Sequence, residues 1–89
     1  MKAFGMNQVR AAILRHLARS EEGTTSGEIS RELQATYQTV FRHLHDLEEQ
    51  GIVASDAGEQ RQGQRVIYRL NKQARDKALA AYASYLDGQ

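Results

Sequence analysis

The residues of this 89-residue chain best suited to chemistry are its three histidines and the polar side chains around two of them. His43 and His45 stand two apart in TYQTVFRHLHDLEEQGIV, residues 36–53. On a helix, two positions apart means about 200° apart, so this pair cannot grip one ion together. His16 lies in another segment, and there is no cysteine to complete a thiolate set. No metal site or other cofactor is therefore expected, and each histidine is assigned a surface or interface role. No nucleophile–base pairing, glycine-rich phosphate loop or paired-carboxylate motif is recognisable, so catalysis is not expected either. What remains is hydrogen bonding from a helix surface. Gln38, Arg42, His45 and Glu49 share one face of the segment, opposite Val40, Leu44 and Leu47. The three aliphatics fall within about 60° of one another at 100° per residue, which makes them the core face.

These side chains need a scaffold, and the flanking sequence supplies its signals. Met6, Val9, Ile13 and Leu17 recur at three- and four-residue steps, predicting a first helix from Met6 to about Ser20, capped by Asn7. Gly23 ends it. In TTSGEISREL, Thr25 precedes Glu28 by three residues in the pattern of a capping box, and Ile29 and Leu33 share a face of a second helix. Thr36 is a suitable N-cap for the third, and Gly51 stands where a helix stops in a left-handed conformation. Beyond Gly51 the period changes. IVAS, DAGEQRQGQ and RVIYRL read as strand, turn and strand, with Arg61 near the hairpin tip, although Ile67 blurs the alternation. Asn71 can cap a last helix to about Leu86, with Ala74, Ala78, Ala81, Tyr82 and Tyr85 along one broad side and Leu79 and Leu86 at its edge.

The whole-chain figures are compatible with one small domain. Apolar residues make up 40% and charged residues 26%, ordinary for a soluble globular protein. No apolar run approaches a membrane span and no signal-peptide core is visible, so a cytoplasmic location follows by default. The net charge of +1 conceals segregation. Residues 1–19 hold Lys2, Arg10, Arg15 and Arg19 without an acid, residues 20–60 are net acidic, and residues 61–77 turn basic again. Such segregation permits a polyanion-binding face.

Two short helices, Thr25–Leu33 and Tyr37–Gln50, match a helix-turn-helix, and the hairpin after them matches a wing. The expected fold is mainly α with a β-hairpin: a winged helix-turn-helix over residues 1–71, followed by a C-terminal helix over 72–89. TVFRHLHDLEEQGIV, preceded by EISREL and followed by YRLN, resembles the winged-helix repressors of the ArsR type, and VRAAILRHLA resembles their first core helix. The likeness covers roughly residues 8–72. MarR-type and PadR-type regulators share the pattern, though MarR-type chains usually carry more helix than this length allows.

The resemblance implies a dimeric repressor bound to a palindromic operator in double-stranded DNA, its recognition helix in the major groove and its wing on the backbone or minor groove. The family's contact positions fall on Thr36, Tyr37, Gln38, Phe41, Arg42 and His45. In the wing, the basic Arg61, Arg65 and Arg69 favour nucleic acid. Phe41 departs from the small polar residues common at its position. It either meets a thymine methyl or packs against the second helix or wing, and packing is the preferred reading. The family's metal-sensing residues are absent. The N-terminal dimerisation helix is missing or reduced to MKAFG, so the stripe of the last helix either covers the domain's own core or forms a homodimer seam around Ala78, Tyr82, Tyr85 and Leu86, and the seam is the preferred reading. The rival reading is a winged helix that binds protein or RNA, for which Asp46, Glu48 and Glu49 would be suited.

Overall fold

The computed structural model describes residues 8–56 and 66–88. Its elements run α1 (Gln8–Ala18), α2 (Ser26–Leu33), α3 (Tyr37–Glu49), β1 (Val53–Ser55), β2 (Tyr68–Leu70) and α4 (Lys72–Leu86). Asn7, the expected first cap, and Met6 lie outside the described residues, as do Arg61 and Arg65 of the wing.

Local chemistry accounts for the helix boundaries. The Thr25 hydroxyl oxygen accepts from the Glu28 backbone N–H at 3.2 Å and donates to Glu28 Oε1, so the expected capping pair forms. Between α2 and α3 the chain turns through Gln34, which takes φ 54° and is the one non-glycine with positive φ among the described residues. Ser30 holds this turn by donating its hydroxyl to the Ala35 carbonyl at 2.6 Å. Thr36 then caps α3, accepting from Thr39 N–H at 3.3 Å. At the other end Gly51 takes φ 77°, and Ile52 N–H reaches back to the Leu47 carbonyl at 3.0 Å. That closing turn leaves the left-handed residue to glycine, which lacks the Cβ that would resist it. Asn71 caps α4 through its side-chain oxygen and the Ala74 N–H, 3.1 Å apart.

The two strands pair antiparallel, Val53 with Leu70, Ala54 with Arg69 and Ser55 with Tyr68. They are shorter than expected. Ile67 does not continue β2, because its N–H bonds the Asp56 carboxylate at 2.9 Å while its carbonyl accepts from Asp56 N–H at 3.1 Å. A feature that alternation does not reveal is the link to the α1–α2 connection. Thr24 exchanges both backbone bonds with Tyr68, at 2.7 and 3.0 Å. The base of the wing is thereby tied to the helical body. Gly23 permits this approach: its φ is 97°, and a Cβ there would overlap Ile67 Cγ2.

The first three helices and both strands close on one core. Ile13 and Leu17 from α1, Ile29 from α2, Val40, Leu44 and Leu47 from α3, and Ile52, Val53 and Tyr68 from the hairpin are buried together. Leu33, Val66, Leu70 and Ala74 pack partly against them. α4 shares little of this core. Ala74 and Arg75 are half-buried, and every later side chain described in the helix is exposed. The molecule is elongated accordingly, with extents of 46, 26 and 21 Å.

Candidate nucleic-acid interface

α3 has a core side, an outward side and two flanks, and neighbouring elements settle what each flank does. Val40, Leu44 and Leu47 are buried. Thr36, Tyr37, Gln38, Phe41, Arg42, His45 and Glu49 are all exposed. The six contact positions expected from the sequence therefore lie together at the N-cap and on the outer surface of α3. The first turn of α3 carries no acid, so nothing there repels an anionic partner.

One flank faces α1. Arg10 donates from Nε to His43 Nδ1 and from a terminal nitrogen to Asp46 Oδ2, each at 3.1 Å. His43 is buried, 8% exposed, which corrects the surface or interface role expected for it. The reason is Arg10: its guanidinium reaches across from α1, covers the imidazole and supplies a donor to the buried ring nitrogen. Because Nδ1 accepts, the ring is neutral in this arrangement with its proton on Nε2. Burial holds the His43 pKa below its ordinary value of 6.5, and the nearby Arg10 and Arg42 charges push the same way against Asp46. His16 is also committed internally, bonding Thr24 Oγ1 at 3.0 Å and Glu32 at 2.7 Å.

The other flank faces the hairpin, since Glu48 accepts from the Ser55 hydroxyl of β1 at 2.7 Å. Phe41 lies on this side, seven residues before Glu48 and so nearly in line with it. Residues 57–65 of the wing, one of the two elements expected to pack on Phe41, lie outside the described residues. The Phe41 ring stacks on Tyr37, with centroids 6.0 Å apart and planes 15° apart, and it stays 40% exposed. Positions four apart meet on one helix face, which brings Tyr37 onto Phe41. On the outward side His45 pairs with Glu49 at 3.0 Å, which occupies one ring nitrogen and leaves the other for a partner.

Among the wing residues, Arg69 is exposed on β2. The C-terminal candidates Ala78, Tyr82, Tyr85 and Leu86 are exposed as well, with Tyr85 at 74% and Leu86 at 54%. No group of three His, Cys, Asp or Glu side chains among the described residues is placed to hold a metal ion. No described helix is long and apolar enough to cross a membrane. Residues that sequence reasoning missed are Arg10, Asp46 and Ser30. Arg10 and Asp46 meet only in the tertiary fold, 36 positions apart in the chain.

A MarR-family profile matches residues 4–62, two thirds of the chain. The chain belongs to the MarR family. The ArsR-type likeness thus holds at the level of the winged-helix regulators as a class, because the two groups share the helix-turn-helix and wing residues that carried it. Solved structures agree on the fold of this MarR-family chain. The ST1889 protein of Sulfolobus tokodaii is 20% identical with a TM-score of 0.72, covering 94% of this chain and 83% of its own. NMB1585 of Neisseria meningitidis, a MarR family regulator, is 26% identical with a TM-score of 0.65, covering 94% and 54%. MepR of S. aureus, in a complex with DNA, is 20% identical with a TM-score of 0.66, covering 94% and 69%. Against another MepR structure the chain spans 61% of the length. No curated protein sequence matches the chain significantly.

Proposed function

We propose that this chain is a transcriptional repressor that binds specific double-stranded DNA as a homodimer on a palindromic operator. α3 enters the major groove, and the wing lies on the backbone or in the minor groove. The observation that carries this reading is the outer surface of α3, where Gln38 and Arg42 stand exposed beside each other on a helix fixed by its other faces. A rigid helix fits the major groove, and those side-chain types can hydrogen-bond base edges or phosphates. MepR, a MarR-type neighbour in fold, has been seen bound to DNA, which supports the same use here. The reading assigns binding rather than catalysis to the chain and places it in the cytoplasm with its DNA.

Dimerisation belongs to α4 on this reading. The helix leaves Leu79, Tyr82, Tyr85 and Leu86 exposed, more apolar surface than an isolated surface helix needs. A second copy of the chain would bury it and set two α3 helices about one turn of DNA apart.

The rival reading, a protein- or RNA-binding winged helix, leaned on the acids at the end of α3. Asp46 bonds Arg10, Glu48 bonds Ser55 and Glu49 pairs with His45, so each has a structural partner within the domain. That weakens the case for them as a docking patch. Selection of bound sequences from a random duplex pool tests the proposal. The expected product is a two-fold symmetric site with half-sites about one helical turn apart. Recovery of no preferred sequence would overturn it.

A further inference from the structure

The stacked Tyr37–Phe41 pair has no structural task that the fold explains. The other large apolar side chains of α3, Leu44 and Leu47, are buried to 2% exposure or less, whereas these two rings remain 54% and 40% exposed. Thr36, not Tyr37, caps the helix. The two rings stack on each other, with centroids 6.0 Å apart.

We propose that Tyr37 and Phe41 form an apolar blade that reads thymine 5-methyl groups in the major groove. This rests on the DNA-binding reading above and names the base feature that part of the site recognises. The argument is geometric. Tyr37 and Phe41 are four apart, as are Gln38 and Arg42, so each pair forms a ridge along the helix. The two ridges lie side by side, offset by about 100° around the axis. One ridge is aromatic and the other hydrogen-bonding. In the major groove the base edges present donors and acceptors together with a single apolar group, the thymine methyl. A helix that lays both ridges in the groove can therefore take purine acceptors on one and methyl groups on the other. The stacking restricts both rings, so the blade is presented in place before binding and loses less side-chain freedom on contact. The surroundings favour a polyanion over a protein or membrane surface. No carboxylate precedes Asp46 on α3, and the cation Arg42 directly follows Phe41.

The test uses the full chain and the duplex sites recovered by selection from a random pool. Each thymine of a half-site is replaced in turn by deoxyuridine, which deletes the methyl and leaves the pairing edge intact. Wild-type binding is expected to weaken about fourfold at one or two thymines per half-site, the effect of exposing one methyl group. In Phe41→Ala the same replacements should have no effect, whereas Phe41→Leu should keep part of the sensitivity. If sites are recovered and wild-type protein tolerates deoxyuridine everywhere, the blade is overturned while the DNA reading stands. If no sequence is selected, both fall, and the aromatic pair is left as a protein contact. The wild-type scan alone decides the matter should a ring substitution prevent folding.

Discussion

At the residue scale, neighbours on α3 have opposite duties. Arg42 is exposed and follows the outer surface, while His43 beside it is buried under Arg10. Replacing Arg42 with Ala removes a donor from an exposed side chain. Specific binding to a selected operator is expected to be lost with the thermal melt nearly unchanged, and a melt lowered by many degrees would show that Arg42 supports the fold. His43 has the reverse signature. Its folded-state pKa lies below 6.5, so as the pH falls through 6.5 the unfolded chain takes up a proton that the folded chain resists. The His43 contribution to stability is therefore whole above that pH and declines below it, until the folded-state pKa is passed. Urea midpoints at about pH 7.5 and 5.5 should drop more for wild type than for His43→Gln, which retains an acceptor for Arg10 but cannot titrate. Equal drops would remove His43 as the source.

At the scale of elements, the wing is anchored through one backbone exchange, Thr24 with Tyr68, made possible by Gly23. Gly23→Ala combines an unfavourable positive φ with overlap on Ile67. It should cost about 1–3 kcal/mol in denaturant melts, more than Gly→Ala at an ordinary loop site. A neutral result would mean that the α1–α2 connection and the hairpin are not in register as described. The same elements show what could be read from the chain. The caps Thr25, Thr36 and Asn71, the stop at Gly51 and the core stripe Val40, Leu44 and Leu47 were legible, because each depends on residues within one helical turn. The Thr24–Tyr68 pairing and the Arg10–His43–Asp46 cluster were not. They join residues 33 to 44 positions apart, and nothing local distinguishes Arg10 from a solvated arginine. Periodicity placed Phe41 on a flank of α3, but its stacking on Tyr37 was not read from the sequence.

For the whole molecule, the decisive feature is α4. Fifteen residues of helix span about 22 Å, and every described side chain from Asp76 onward is exposed. Charges placed there should leave the domain folded and separate the copies. Tyr82→Glu combined with Tyr85→Glu is expected to sediment as a monomer with an unaltered circular dichroism spectrum and to lose affinity for a two-half-site operator. A variant that remains dimeric would move the interface to another surface. On the proposed dimer, half-site spacing belongs to this scale too, since it would be set by how two α4 helices meet.

The central claim is that the outer surface of α3 and the wing bind duplex DNA, and its most direct test is a fluorescence-anisotropy titration of mixed-sequence duplex at two salt concentrations. Cationic contacts with phosphates release counterions, so affinity should fall steeply between about 50 and 200 mM salt. Binding that is absent, or indifferent to salt, would contradict the account.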